Sequence, residues 1–305
     1  MRRVLKWVGY GVAGAIVLII VAIAVFTITG RANYAETFTA PYEALVASTD
    51  SPAIVEGERL VAIHGCELCH GAGLSGDLFI DSRVFMKLPA PNLTPGQGGL
   101  DSSYALTDFE RAVRHGVNRE GRGLIIMPAN DYAYLSDDEV VKLYAYVRTL
   151  TPVDNERVET RVGPVGSAIL TLNDELRPVT GIDHGATHAA GVNRTDALAL
   201  GEYRTRICLV CHGQELTGGR PAFSEDHQPS SPNLTPDPET GLTGWDEDDF
   251  MRLMRTGLRP DGTQVDSLMP WHVFQRMTDE ELSGVWTYLS GLAPAASMAP
   301  PGPAP

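Results

Sequence analysis

The chain has 305 residues, enough for about two domains of ordinary size. With 43% hydrophobic and 20% charged residues it is neither a disordered chain nor a polytopic membrane protein, and four cysteines are too few to staple a fold of this length. A formal charge of −14 provides no basic surplus for a phosphate backbone, which excludes nucleic acid as an expected partner and disfavours acidic substrates.

No charge falls between Lys6 and Arg31, and the 24 residues Trp7–Gly30 are dominated by Val, Ile, Ala and Leu. As a helix they rise about 36 Å, enough to cross a hydrocarbon core of about 30 Å with some tilt. A cleaved signal would have a shorter apolar region and a small-residue cleavage site. The segment Gly30-Arg31-Ala32-Asn33-Tyr34-Ala35 offers no convincing one, so residues 1–31 read as a retained anchor and 32–49 as a linker. Arg2, Arg3 and Lys6 precede the span and only Arg31 closely follows it, which keeps the N-terminus cytoplasmic. The remainder is then exported, with 20 Lys and Arg against all 38 Asp and Glu, a formal charge of −18.

The next segment, 50–155, opens with a helix expected near Pro52–Ile63 and runs into Cys66-Glu67-Leu68-Cys69-His70. A helix over Thr107–His115 should end at Gly116, a suitable left-handed terminus. Ser136-Asp137-Asp138-Glu139 reads as a capping box opening another helix, whose Val140, Leu143, Tyr144 and Val147 form one apolar face. Residues 156–195, rich in glycine and weakly periodic, read as a linker or as a segment packed over both domains. His184 and His188 stand there at i, i+4 without nearby Cys or carboxylate partners, a poor metal site.

Segment 196–293 repeats the first: a helix near Asp196–Ile207, then Cys208-Leu209-Val210-Cys211-His212, a helix near Asp246–Thr256 ending at Gly257, and a capping box at Thr278-Asp279-Glu280-Glu281. The acidic run Asp246–Asp249 is explained by the helix dipole alone. By direct count residues 50–155 carry a net −6 and residues 196–293 a net −9, which favours a basic or weakly charged redox partner at the second. Residues 294–305, Pro- and Ala-rich and uncharged, read as a disordered tail.

Two copies of C-x-x-C-H consume all four cysteines. In an exported chain this is the attachment motif of a c-type haem. The paired thiols reach the two vinyl groups of one porphyrin, and the adjacent histidine ligates iron from one face. Zinc would need four ligands close together, which pairs 142 residues apart do not offer, and a redox dithiol would not explain the trailing histidines. The surroundings repeat too: Pro91-Asn92-Leu93-Thr94-Pro95 matches Pro232-Asn233-Leu234-Thr235-Pro236 at an offset of 141, and Met127-Pro128 matches Met269-Pro270 at 142. Each of these methionines lies 61 residues after the first cysteine of its motif, which makes Met127 and Met269 the expected sixth ligands of two His/Met irons with His70 and His212. His64, His115, His184, His188, His227 and His272 have no repeat partners and are expected at the surface or, at most, as modulators of a haem. The fold class that follows is all-α: two cytochrome c-like domains in tandem, each wrapped around a covalently bound haem c, after a transmembrane helix.

With these residues assembled, the chain resembles the dihaem membrane-bound c-type cytochromes. The run from Ser231 through Asn233-Leu234-Thr235-Pro236 to Gly241, with Trp245, Asp249-Phe250 and Met269-Pro270, is similar to haem domains of cytochrome subunits serving periplasmic quinoprotein or flavoprotein dehydrogenases. The likeness covers about residues 50–155 and 196–293, is weaker around Gly96–Tyr104, and implies propionate contacts for Asn92, Thr94, Asn233 and Thr235. Subunits of that group commonly carry three haems, against two motifs here. The implied function is one-electron transfer at the periplasmic side of the bacterial inner membrane, between a dehydrogenase or membrane quinol system and a downstream respiratory acceptor. Redox proteins are the expected partners and no organic substrate is expected. Two alternatives stay open: a dihaem subunit feeding a haem–copper oxidase, and a dihaem peroxidase-like enzyme in which one iron opens a position to peroxide.

Overall fold

A computed structural model describes residues 2–41, 43–219 and 230–297. His227, Met298 and the tail from 298 lie outside the described residues. In chain order the elements are α1 (Arg2–Ala35), α2 (Ser51–Ile63), α3 (Glu67–His70), β1 (Asp77–Asp81), β2 (Met86–Ala90), α4 (Leu106–His115), α5 (Ala129–Tyr132) and α6 (Asp137–Val147), followed by β3 (Arg161–Val162) and α7 (Pro164–Leu172). The second half holds α8 (Ala197–Thr205), α9 (Leu209–His212), α10 (Glu247–Thr256), α11 (Trp271–Phe274) and α12 (Asp279–Ser290). The chain packs as two compact units, one of Met1–Ala47, Glu67–Leu135 and Val147–Thr187, the other of Ser48–Cys66, Ser136–Tyr146 and His188–Pro305.

In the first unit α1 is long and apolar enough to cross a membrane, with most of its side chains exposed. Its last turns pack on α7: a Cβ at Gly30 would lie 2.2 Å from the Ser167 carbonyl oxygen, and Asn33 Nδ2 donates to the Leu170 carbonyl at 2.8 Å. Helix α4 ends as its sequence predicts, at Gly116 with φ of 62°. A small antiparallel sheet in the order β1-β2-β3 is added to the helical scaffold, without a counterpart among the sequence expectations. Strands of five, five and two residues are too short to give a strong two-residue period, and β3 comes from a distant segment. Met86, Leu88, Ile125, Val162 and Leu170 form the core beneath it. Residues 161–181 are thus structured, carrying β3, α7 and two short 3-10 turns.

In the second unit glycine permits two helix crossings at backbone contact. A Cβ on Gly57 of α2 would sit 2.0 Å from the Lys142 carbonyl oxygen of α6, and one on Gly201 of α8 would sit 1.9 Å from the Gly284 carbonyl oxygen of α12. Asp246 caps α10 by accepting from the Asp249 N–H at 2.9 Å, and Gly257 closes that helix with φ of 72°. The capping box of α12 is complete: Thr278 Oγ1 accepts from the Glu281 N–H and Glu281 Oε2 accepts from the Thr278 N–H. At α6 only half the box forms, because the Tyr203 hydroxyl accepts from the Ser136 N–H at 2.9 Å while the Glu139 carboxylate turns to Arg204 at 2.6 Å.

That deviation belongs to a buried ion network. Arg204, 1% exposed, reaches Glu139 and Glu281, and Glu281 also takes Arg59 at 2.6 Å, while Arg59 bonds Glu56 at 2.7 Å. Four helices, α2, α6, α8 and α12, each contribute a charge. Burial alone would raise the Glu281 carboxyl, but hydrogen bonds from Arg59 and the charges of Arg204 and Arg59 outweigh it and hold the group at about 2.

Candidate haem sites

Each histidine of the two motifs is oriented by one backbone contact. His70 Nδ1 lies 2.8 Å from the Pro91 carbonyl oxygen, and His212 Nδ1 lies 2.8 Å from that of Pro232. A carbonyl oxygen only accepts, so Nδ1 carries the proton and Nε2 keeps its lone pair for a metal. Burial pushes both imidazoles down from their ordinary value, against the opposing effect of the carbonyl contact, and so favours the neutral form that ligation requires. Burial raises the Cys69 thiol and takes that of Cys208 up to about 12, so neither of these two is prepared as a thiolate.

The turn after each histidine is the same. Gly71 and Gly213 have φ of 72° and 78°; Leu74 and Leu216 are left-handed at 58° and 56°; Gly76 and Gly218 follow at 85° and 74°. The Gly76 N–H donates to the His70 carbonyl at 2.7 Å and the Gly218 N–H to the His212 carbonyl at 3.0 Å. Leu74 and Leu216 are buried, and their carbonyls accept from Leu93 and Leu234 in the Asn-Leu-Thr-Pro segments. The pattern H-G-x-x-L-x-G was available in the sequence as a repeat at offset 142, and the sequence reading missed it. It clamps the histidine to the segment that supplies its carbonyl acceptor.

Asn92 and Thr94 brace that segment. Asn92 Nδ2 donates to the Val153 carbonyl at 2.8 Å, Thr94 Oγ1 donates to the same oxygen at 3.2 Å, and Asn92 Oδ1 accepts from the Thr94 N–H. Asn233 and Thr235 make the equivalent bonds to the Ala295 carbonyl at 2.7 Å and 3.2 Å. All four side chains are buried and hydrogen-bonded within the chain. Ala295 is tied in by these bonds, which shortens the expected loose tail from its start.

The two Met-Pro segments also match. Pro128 and Pro270 adopt φ/ψ of −80°/57° and −81°/55° and open α5 and α11 in the same way. The Ala129 N–H donates to the Met127 carbonyl at 2.7 Å and the Trp271 N–H to the Met269 carbonyl at 2.8 Å. Both methionines are half-buried. The non-glycine residues with left-handed backbone among those described are Leu74, Leu216 and Ile126, the last directly before Met127 at φ of 65°. Such positions each cost on the order of 1–3 kcal/mol and persist where the surroundings impose them. Here all three lie in loops of the two candidate sites.

His64 and His115 are buried rather than at the surface, a difference no local pattern announces. Burial holds His64 down at about 4. His115 Nδ1 lies 2.9 Å from His184 Nδ1, and its Nε2 lies 3.4 Å from the buried Glu110. His272 is exposed as expected.

Residues 52–147 match the family model for cytochrome c oxidase, cbb3-type, subunit III, and residues 202–293 match that for cytochrome c. Over 82% of its length the chain is 28% identical to a fructose dehydrogenase cytochrome subunit of Gluconobacter japonicus, covering 54% of that protein. It is 29% identical over 83% of its length to a gluconate 2-dehydrogenase cytochrome c subunit of Pantoea cypripedii, covering 63% of it. It is 25% identical over 85% of its length to an alcohol dehydrogenase (quinone) cytochrome c subunit of Gluconacetobacter polyoxogenes, covering 61% of it. The chain therefore spans about half to three-fifths of the length of these relatives. It holds two cytochrome c domains in tandem, mostly helical, and carries two covalently bound haem c groups.

Proposed function

We propose that this dihaem cytochrome is held in the bacterial inner membrane by α1, with its haem domains on the periplasmic side, and passes single electrons from a dehydrogenase or quinol donor to a downstream respiratory acceptor. The observation that carries the reading is the duplicated ligand geometry: two histidines with Nδ1 locked on a proline carbonyl, and two Met-Pro segments of one conformation. Haem c supplies a one-electron Fe(III)/Fe(II) couple when bound. The chain's own part would be to attach it through Cys66 and Cys69, and Cys208 and Cys211, to present Nε2 of His70 and His212, and to offer the sulfurs of Met127 and Met269 as further iron ligands. A methionine at the matching place of both repeats would favour one-electron transfer over a peroxidase reading, which needs an open position at one iron. The resemblance to dehydrogenase cytochrome subunits supports a dehydrogenase as donor. The subunit III match over 52–147 favours a second reading, delivery of electrons to a haem–copper oxidase.

Co-purification from detergent-solubilised membranes separates the two. The expected result is a complex with a quinoprotein or flavoprotein dehydrogenase, in which adding that enzyme's substrate reduces both haems. Recovery with a haem–copper oxidase core and no dehydrogenase would support the second reading instead.

A further inference from the structure

The segment between the haem motifs carries a helix that electron transfer does not use. Helix α7, Pro164–Leu172, has no charged residue, and the nearest charges in sequence are Arg161 before it and Asp174, Glu175 and Arg177 after it. One face is covered: Gly166, Ser167 and Leu170 are buried. The opposite face leaves Val165 and Leu172 46% and 73% exposed, seven residues and about two helical turns apart. In water this is an unexplained apolar stripe.

Its covered face locates it. Gly30 of α1 meets Ser167 at backbone contact, Asn33 bonds the Leu170 carbonyl, and Thr171 Oγ1 approaches the Phe26 carbonyl at 3.5 Å. Phe26 lies five residues inside the uncharged span that ends at Arg31, about 7.5 Å along the helix axis. A helix packed against that part of a membrane-crossing segment lies at the depth where interfacial helices bury their apolar face, about 5–10 Å into the headgroup and acyl boundary. A polar collar follows directly: Arg177 bonds Glu36 at 2.8 Å and Asp174 at 2.6 Å.

We infer that α7 is a second membrane contact, lying in the outer-leaflet interface beside α1 with Val165 and Leu172 in the lipid acyl region. This rests on the reading of α1 as an anchor. The contact fixes the first unit against the bilayer at two points, so that unit cannot swing freely on a single tether.

The test uses the full holoprotein in phospholipid vesicles. The four native cysteines are consumed by haem attachment, so one introduced cysteine accepts a nitroxide label selectively. Leu172→Cys is compared with Leu18→Cys within α1 and with Glu120→Cys on an exposed loop. The expected result is that the Leu172 position, like Leu18, loses accessibility to a water-soluble nickel chelate and gains accessibility to oxygen, while Glu120 does the reverse. A label at Leu172 that behaves like Glu120 while Leu18 reports lipid overturns the inference and leaves the anchor standing. Water exposure at Leu18 as well overturns both.

Discussion

Replacing Met127 or Met269 with Ala is expected to lower the midpoint potential of one haem by on the order of 0.1 V, a fraction of the ~0.8 V that axial ligands command, and to leave the other haem unchanged. Thioether sulfur stabilises Fe(II) relative to Fe(III), so its loss favours the oxidised state. Attachment is independent of this sulfur because the thioether links come from Cys66 and Cys69, or Cys208 and Cys211. Both haems therefore remain bound in each variant. Because the two Met-Pro segments share one conformation, each variant should affect its own domain in the same direction. Spectroelectrochemical titration resolves the two transitions. An unchanged potential and spectrum in either variant would mean that a different side chain occupies the sixth position of that domain.

The largest stability effect is expected at Glu281. Its carboxylate is fully buried and holds Arg204 and Arg59, at 2.7 Å and 2.6 Å. Glu281→Ala leaves Arg204, itself 1% exposed, with one carboxylate fewer in a site from which water is excluded. Removing one partner of such a pair costs about 3–5 kcal/mol, because the surviving charge is stranded. Denaturant titration of the holoprotein should show the midpoint falling with the slope unchanged. The pH dependence gives an independent check. Glu281 is held at about 2 against an ordinary 4.5, so its contribution is complete above about 4.5 and is lost as pH falls towards 2. Glu281→Gln keeps the side-chain shape and should flatten the decline of stability in that window. An acid limb as steep as that of the unaltered protein would mean the network does not set it.

Much of the chemistry was legible because haem attachment is a local motif. Cys66-Glu67-Leu68-Cys69-His70 and Cys208-Leu209-Val210-Cys211-His212 state their purpose within five residues, and the repeated Met127-Pro128 and Met269-Pro270 mark two segments that share one backbone conformation. The ends of α4 and α10 were legible for the same reason, since Gly116 and Gly257 mark a left-handed residue at the point where the helix stops. Side-chain roles that depend on distant segments were not. Asn92 and Thr94 find their acceptor about 60 residues away, at Val153, and so act as braces of the loop that orients His70. Glu139 looks from sequence like the closing carboxylate of a capping box, yet Arg204 of a distant helix competes for it and wins through charge. Burial of His64 and His115 and the pairing of β3 with β2 likewise depend on tertiary contacts. The turn H-G-x-x-L-x-G is the exception, since its signal was present at both motifs and only the duplicated left-handed leucines reveal its part.

The central proposal is that His70 with Met127, and His212 with Met269, would each hold a six-coordinate, low-spin haem iron. Electron paramagnetic resonance and magnetic circular dichroism of the resting oxidised protein test it most directly. Two low-spin ferric centres, each with nitrogen and thioether axial ligation, and one haem c per motif are the predicted result. A high-spin, five-coordinate iron in either domain would contradict it and reopen the peroxidase reading.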